Sequence, residues 1–431
     1  MDFSLTDEQH ALVDSVTRLA EREFAPKAFS REGFAWDSLR TLAENGLTGL
    51  TLSEDVGGQG AGLLDAVLAM QAITKICPHS ADAFQAANFG AIRQIAWFGS
   101  DRVKEEVLAP LLRGEALVSA GMSEPEAGTA LTDLRTRAEY DGDDVVINGQ
   151  KCWNSHGPDI THTVVWCRFG PRTRDIGAVV VPVDTPGFTR GKTETYMSGE
   201  HHCQLYFDNV RVPREYVLAD SGAVAKMLSI FGVERIGNAS RAIALAETAY
   251  ERAVEHAKSR TAFGQPLSNF QGLQWKFADM RVQLDAAKLL IFRAVASAES
   301  GPPDPTEAAI AKLYANETAF KVANDALQVF GASGYSTEFP LEYIVRRTRG
   351  WMIAGGSVEV LRNTIAGNIF GQRFSQRPAA PAPAAPASDA PTSDAPASDA
   401  PASDAPASDV PAAQPDESSL SVAPEPAGVG R

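Results

Sequence analysis

The sequence predicts an α+β protein in three lobes: an N-terminal α-helical domain (1–114), a central antiparallel β domain (115–221) and a C-terminal helix bundle (222–374). Three observations predict it. Apolar residues recur at helical spacing as far as Leu112. Short β-branched and aromatic runs, broken by Gly, Pro and Asp, replace them up to Asp220. Long helical runs return from about Val224. At 431 residues the chain favours two or three packed units over a single core.

The first element is "TDEQHALVDSVTRLAEREF", which opens on a Thr/Asp cap signal and sets Leu12, Val13, Val16, Leu19 and Phe24 near helical spacing. "DSLRTLAENGLTGL" ends a further helix at Gly46, and "SEDVGGQGAG" is a flexible loop before the helix "LLDAVLAMQAITKI". In the β region, "YDGDDVVINGQKCW" carries two turn signals, Asp-Gly and Asn-Gly, around a short strand. "THTVVWCRFG", "IGAVVVPVDTPGF" and "HCQLYFDNVRVP" supply further strands. The bundle is written in three long runs, from Ala225 to Arg260, Phe270 to Ala298 and Asp304 to Gly331, with short connections. From Pro378 the chain turns to Ala, Pro, Ser and Asp, with PASDA-type repeats from Pro386. Almost no large apolar side chain is present there to offset the entropy of ordering. Residues 375–431 therefore read as a disordered, partly polyproline-II tail.

Charge and composition exclude several classes. The net charge is −15, of which the tail holds eight acids against two arginines, leaving a mildly acidic body that argues against nucleic acid. The N-terminal stretch has early acids and no basic region before an apolar run, so no secretory signal is expected. No apolar run reaches spanning length. Cys77, Cys152, Cys167 and Cys203 lack CxxC pairing, which fits reduced thiols. A soluble, cytoplasmic protein is expected. "GEHHCQLYF" brings His201, His202 and Cys203 together, but neighbouring strand residues point to opposite faces and no second ligand cluster accompanies them, so no metal is expected.

Five stretches carry chemistry. "SAGMSEPEAGTALTD" places small residues around a Ser-Glu-Pro turn, leaving backbone N–H groups for an acceptor-rich ligand; a plain connecting loop reads the same way. "NGQKCWNSHG" puts an indole before small polar groups, a wall for a flat ring or simply a core Trp. "SRTAFGQPLSNFQGLQW" turns the chain between two helices at Phe263-Gly264. "ALQVFGASGY" and "IAGGSVEVLRN" follow.

In this order, over Met1 to Phe370, these stretches resemble the acyl-CoA dehydrogenase family. The resemblance implies a β-barrel-like central domain, a C-terminal four-helix bundle, FAD, an acyl-CoA or acyl-carrier thioester substrate, an electron-transfer flavoprotein as acceptor, and a homo-oligomer, dimer or tetramer. By motif, Met122, Ser123, Thr129, Trp153 and Ser155 match positions around the flavin, with Thr129 also near substrate. Arg260, Phe263, Gln271, Gln328 and Gly331 match the set that reaches the adenosine-diphosphate portion across a subunit interface, where a guanidinium can take pyrophosphate oxygens in pairs. Ser357 and Glu359 match flavin-side positions, though Gln is common where Glu359 stands. Phe231, Arg235 and Gly356 match substrate-lining positions.

The family's reaction takes an α-proton by a base and passes the β-hydrogen as hydride to flavin N5, while donors hold the thioester oxygen. Many members carry that base as a Glu at the last helix entrance. Here Gly355 stands in its place, keeping a main-chain N–H for the thioester oxygen but no carboxylate. "FGVERIGNAS" offers Glu234 instead, which resembles the base position of isovaleryl- and long-chain-type members. A solvated helix glutamate is the commoner fate of Glu, but Ile230, Gly237 and Asn238 give this one a partly apolar face that suits a general base. "FQGLQWKFADMRVQLDAAKLL" and "IAGG" also resemble the 3-sulfinopropionyl-CoA desulfinases, which lack both carboxylates and hold the sulfinate with an Arg. Asp82 stands where that Arg aligns, and an acid there is expected to repel a sulfinate. The leading expectation is α,β-dehydrogenation with Glu234 as base. The alternatives are a redox-neutral thioester lyase and a flavin-binding paralogue without turnover.

Overall fold

A computed structural model of the chain describes residues 4–29, 33–222, 224–298, 301–372, 374 and 376, and the Ala/Pro/Ser/Asp-rich tail lies outside them. Helix α1 (Asp7–Leu19) begins as its sequence signals. Thr6 Oγ1 accepts from the Gln9 amide at 3.2 Å, and Gln9 Oε1 accepts from the Thr6 amide at 3.1 Å. Helices α2 (Trp36–Glu44), α3 (Leu63–Ile76), α4 (Pro78–Asn88) and α5 (Ile92–Phe98) follow, and a helical stretch from Asp101 to Leu112 closes the first lobe. α3 is buried continuously from Ala66 to Thr74 except at Gln71, because other helices cover both of its sides. α4 starts on Pro78 at its first turn, where a missing N–H costs nothing.

Nine strands build the middle lobe: β1 (Val118–Gly121), β2 (Arg137–Asp141), β3 (Asp144–Ser155), β4 (His162–Arg168), β5 (Ile176–Pro182), β6 (Phe188–Arg190), β7 (Glu194–Thr195), β8 (His201–Pro213) and β9 (Val217–Ala219). Their order is β6-β8-β3-β2-β4-β5-β9, with β1 beside β4 and β7 beside β8. Pairing is antiparallel except for β1 on β4 and the single Arg137–Arg168 register of β2 on β4. The domain is otherwise antiparallel, as expected; β1 runs parallel because it enters directly from the helical lobe alongside β4.

The two turn signals separate. Asp141-Gly142 is a true hairpin between β2 and β3, with Asp141 opposite Asp144. Asn148-Gly149 is not a turn: β3 runs through it as a bulge, and its register on β8 slips between Ile147 and Gly149. Gly149 has φ +147°, and a Cβ there would lie 2.5 Å from Thr136 Oγ1 and 2.7 Å from Thr136 Cα. The bulge re-aims the rest of β3, which carries Trp153.

The third lobe starts with a short helix, Val224–Ser229, and continues as α6 (Phe231–Ser259), α7 (Gln271–Ala296), α8 (Pro305–Phe330), α9 (Leu341–Trp351) and α10 (Val358–Ile369). α6 and α8 pack along alanine faces, with Ala239, Ala242, Ala246 and Ala249 on one and Ala308, Ala311, Ala315 and Ala319 on the other fully buried. Small side chains allow this close approach, so polar groups placed between the helices meet each other directly. No described helix is long and apolar enough to cross a membrane. All four cysteines are buried and unpaired.

Gly149→Ala should destabilise the protein by about 1–3 kcal/mol, through the strained φ and the overlap with Thr136. Thermal melts of the purified variant check this, and an unchanged midpoint would show that the bulge relaxes freely.

Candidate active site

Glu234 lies in the first turn of α6, with Gly237, Asn238 and Arg241 following on the same face at helical spacing. Opposite it runs the turn from Met352 to Ser357 that joins α9 to α10. Gly355 and Gly356 take φ of +68° and +93°, consecutive left-handed residues that only glycine adopts without strain. Ser357 then caps α10, its Oγ accepting from the Val360 amide at 3.4 Å. A Cβ built on Gly355 would stand 3.7 Å from Glu234 Oε1 and 3.6 Å from Lys312 Cε. The α6 carboxylate therefore faces the position from which a residue-355 side chain would project. Burial pushes the Glu234 carboxyl above the ordinary carboxylate range, against the pull of Lys312, Arg241 and Arg235. Arg235 is turned to Gly356, with Nε 4.0 Å from the position a Cβ would take there. That Nε is buried without a hydrogen-bond partner, and burial lowers the guanidinium's pKa.

Sequence reasoning missed the groups that hold this turn. Lys312, fully buried on α8, donates to the carbonyls of Ala354 and Gly356 at 2.7 Å each and of Trp351 at 3.4 Å. Burial draws its ammonium down to about 7, with Arg235 adding to the shift and Glu234 opposing it. Asn316, one turn further along α8, donates to the Trp351 carbonyl at 2.7 Å and to Asn238 Oδ1 at 3.0 Å. A lone lysine followed by asparagine at i+4, within the alanine-lined face of "AAIAKLYANETA", was the available signal.

The reading of Asp82 is corrected. Its Oδ1 accepts from Arg241 at 2.8 Å and from Arg347 at 2.5 Å, so two guanidiniums neutralise the acid that was expected to repel an anion. Arg347 also pairs with Glu200 at 2.5 Å. Burial works to raise the Glu200 carboxyl, but Arg347 foremost, then His156 and Arg241, hold it down at about 2. Both arginines lie over the Trp351 ring, at 4.8 Å for Arg241 and 5.1 Å for Arg347.

The residues matched to the flavin form a second grouping. The Cys152 amide donates to the Ser123 carbonyl at 2.9 Å, bringing Met122 and Ser123 beside Trp153. Beneath them Lys151 and Glu124 form a buried ion pair at 2.7 Å, and Lys151 also donates to the Met122 carbonyl. Trp153 takes φ +57° and leaves 61% of its surface exposed, while Ser155 and Thr129 are exposed on the same strand and loop system. Sparsely populated φ at an exposed indole marks a position the surrounding fold over-determines. An exposed flat ring beside exposed hydroxyls fits a flavin. Phe231 instead packs edge-on against Trp166 at 6.0 Å and is buried. His202, part of the His-His-Cys run, stacks on Tyr196 at 4.0 Å. Among the described residues no group of three or more His, Cys, Asp and Glu is placed to hold a metal ion.

Arg260, Phe263, Gln271, Gln328 and Gly331 are exposed at the far end of the bundle. Along α6, Arg260 is about 39 Å from Glu234. Phe263 has φ +51° and is 96% exposed, an aromatic left without cover on a single chain. Ser357 is engaged as the α10 cap and Glu359 is exposed in that helix's first turn.

Lys312→Met keeps the volume and removes the three donors. The Ala354 and Gly356 carbonyls then lose their charged partner, and the protein should lose about 1–3 kcal/mol of stability. Hydrogen exchange at Gly355 to Val358 should accelerate; unchanged exchange would show that Asn316 alone holds the turn.

Three family descriptions match the chain: "Acyl-CoA dehydrogenase, N-terminal domain" over residues 6–115, "middle domain" over 119–210 and "C-terminal domain" over 221–370. A 3-sulfinopropanoyl-CoA desulfinase of Paraburkholderia xenovorans is 37% identical over 389 residues, covering 88% of this chain and 100% of that protein. The solved butyryl-CoA dehydrogenase of Megasphaera elsdenii superposes with a TM-score of 0.81 at 32% identity, covering 86% of this chain and 100% of that one. A glutaryl-CoA dehydrogenase of Mycobacterium smegmatis, solved with FADH2, gives a TM-score of 0.80 at 25% identity, covering 86% and 96%. With all three lobes matched in order, the chain belongs to the acyl-CoA dehydrogenase family, whose cofactor is FAD.

Proposed function

We propose that the protein catalyses α,β-dehydrogenation of an acyl thioester, acyl-CoA or carrier-bound, with Glu234 as the general base. The observation that carries this is the position of the Glu234 carboxylate, 3.7 Å from where a side chain on Gly355 would begin. FAD, when bound, accepts the β-hydrogen as hydride. Glu234 takes the α-proton, and its burial gives it the basicity the step requires. The Gly355 N–H donates to the thioester oxygen as negative charge develops there. Arg235 and Gly356 line the substrate beside that amide, with Thr129 on the β-domain side. Met122, Ser123, Trp153, Ser155, Ser357 and Glu359 would hold the flavin end. Arg260, Phe263, Gln271, Gln328 and Gly331 would serve the adenosine-diphosphate portion of a neighbouring subunit's FAD. That arrangement requires a homo-oligomer, dimer or tetramer. Electrons leave to an electron-transfer flavoprotein, and the setting is cytoplasmic.

A second reading has its own support. Asp82 is neutralised by Arg241 and Arg347, which removes the electrostatic objection to an anionic acyl group. The similarity to a desulfinase then favours a redox-neutral CoA-thioester lyase. Anaerobic mixing with a panel of acyl-CoAs separates the two: flavin bleaching supports dehydrogenation, while sulfite release from a sulfinated acyl-CoA without bleaching supports the lyase.

Glu234→Gln should slow α-proton exchange roughly a hundredfold to ten-thousandfold while FAD content stays unchanged. Retained exchange would remove the base assignment. In the wild type the exchange rate should rise with pH through a value above the ordinary carboxylate range, because the base must be ionised. The stability sign is opposite. A carboxyl whose folded pKa is raised stabilises fully below the unfolded value, and that contribution is lost as pH rises through the folded pKa. Glu234→Gln should therefore melt higher than wild type at neutral pH.

A further inference from the structure

A cavity of about 1290 Å³ opens between the first lobe and the bundle, on a different side of α6 from the site above. Its walls include Leu64 at the start of α3, Val233 on α6, Leu290 and Phe292 on α7, and Tyr314 on α8. Val233 and Glu234 are successive residues, so their side chains leave the helix about 100° apart. The lining is mostly apolar, with Ser4, Thr51, Arg93, Arg293 and Tyr314 bringing polar groups to its wall. Arg93, in the first turn of α5, is only 5% exposed.

Its surroundings are unlike those of Arg241 and Arg347, each of which holds a carboxylate. Arg293, also on the cavity wall, pairs with Glu307 at 2.6 Å. No carboxylate among the described residues pairs with Arg93. Its NH1 group donates to Thr51 Oγ1, its guanidinium lies 5.1 Å from the Trp97 ring centroid, and its Nε is buried without a partner. Burial draws it down to about 10, with no acid among the described residues opposing. A buried cation with no counter-charge is expensive to keep unless something external supplies the anion.

We propose that this cavity binds a single-headed anionic amphiphile, a carboxylate on an apolar chain, with the headgroup on Arg93 and Thr51 and the chain along Val233, Leu290 and Phe292. One guanidinium with one hydroxyl matches a monoanion; a diphosphate or a CoA headgroup would need further cations, and Arg293 is already taken. The volume exceeds what a drug-sized ligand requires, typically about 300–1,000 Å³. This site stands independently of the reaction proposed above.

Calorimetric titration of the FAD-loaded full chain with dodecanoate and with dodecanol tests it. Dodecanoate should bind saturably and at least tenfold more tightly than the alcohol. Arg93→Met should abolish that preference, whereas Arg93→Lys should keep it. Leu289→Trp, at a half-exposed wall position, should block both ligands and serves if Arg93→Met fails to load FAD. Glu234→Gln should leave dodecanoate binding unchanged, since the sites lie on different sides of α6. The proposal is overturned by an absence of saturable binding, by an acid-over-alcohol preference that survives Arg93→Met, or by dodecanoate binding that Leu289→Trp leaves intact.

Discussion

A lysine ammonium sealed between two alanine-faced helices has three protons to place and no water to take them. Lys312 places them on the carbonyls of Trp351, Ala354 and Gly356. For carbonyls so close in sequence to converge on one atom, the backbone between them must reverse, and it does so through two left-handed residues. Glycine at 355 and 356 follows from that requirement. With no side chain at 355, the space in front of the turn is open to a group from the facing helix, and Glu234 points there. The ammonium that shapes the turn is also the first of the cations opposing the rise in Glu234's pKa. One interaction thus fixes the turn, empties position 355 and tunes the acid that faces it.

The charges behind this turn are tied as firmly. Asp82 on α4, Arg241 on α6, Arg347 on α9 and Glu200 before β8 form one buried chain of ion pairs. Such a chain contributes little net stability against an apolar equivalent, but removing any member leaves an uncompensated buried charge. Its value is positional. It brings the helical lobe, the β domain and the bundle to one point, and it stacks two guanidiniums on the ring of Trp351, the residue whose carbonyl Lys312 and Asn316 also hold.

Much of this was legible in the sequence, for identifiable reasons. The Thr6 cap, the helical spacing of α1 and the Asp-Gly hairpin are local signals, and local physics decides them. The Gly355-Gly356 turn was also readable, because two successive glycines at a helix entrance stand out in residue type. Asn148-Gly149 was misread as a turn: its local preference for positive φ is real, but pairing with β8 on both sides converts it into a bulge. Asp82 was misjudged because its partners lie 159 and 265 residues away. Long-range pairing of charge leaves no periodic mark. Lys312 lies between these cases, visible as an odd cation on an alanine face but without a stated partner until the turn folds onto it.

The arrangement also sets where the site is least stable. Burial raises the folded pKa of Glu234, so stability falls as pH climbs above about 4.5, the usual value for a Glu. Burial lowers that of Lys312 from 10.5 to about 7, so between those values the unfolded chain binds more protons and stability rises with pH. The two slopes oppose each other: loss of the Glu234 proton costs stability as pH rises, while above about 7 the fading cost of the Lys312 ammonium restores it. With the carboxyl ionised and the ammonium protonated, the proposed base is free to accept a proton while Lys312 grips the turn that carries the Gly355 amide. A site confined to helix–helix contacts can carry this penalty, because the alanine side chains that pack α6 on α8 do not titrate. With Glu234 as the proposed base and the Gly355 amide across from it, the cost of shifted protons falls on two side chains, and the alanine packing holds the helices that carry them.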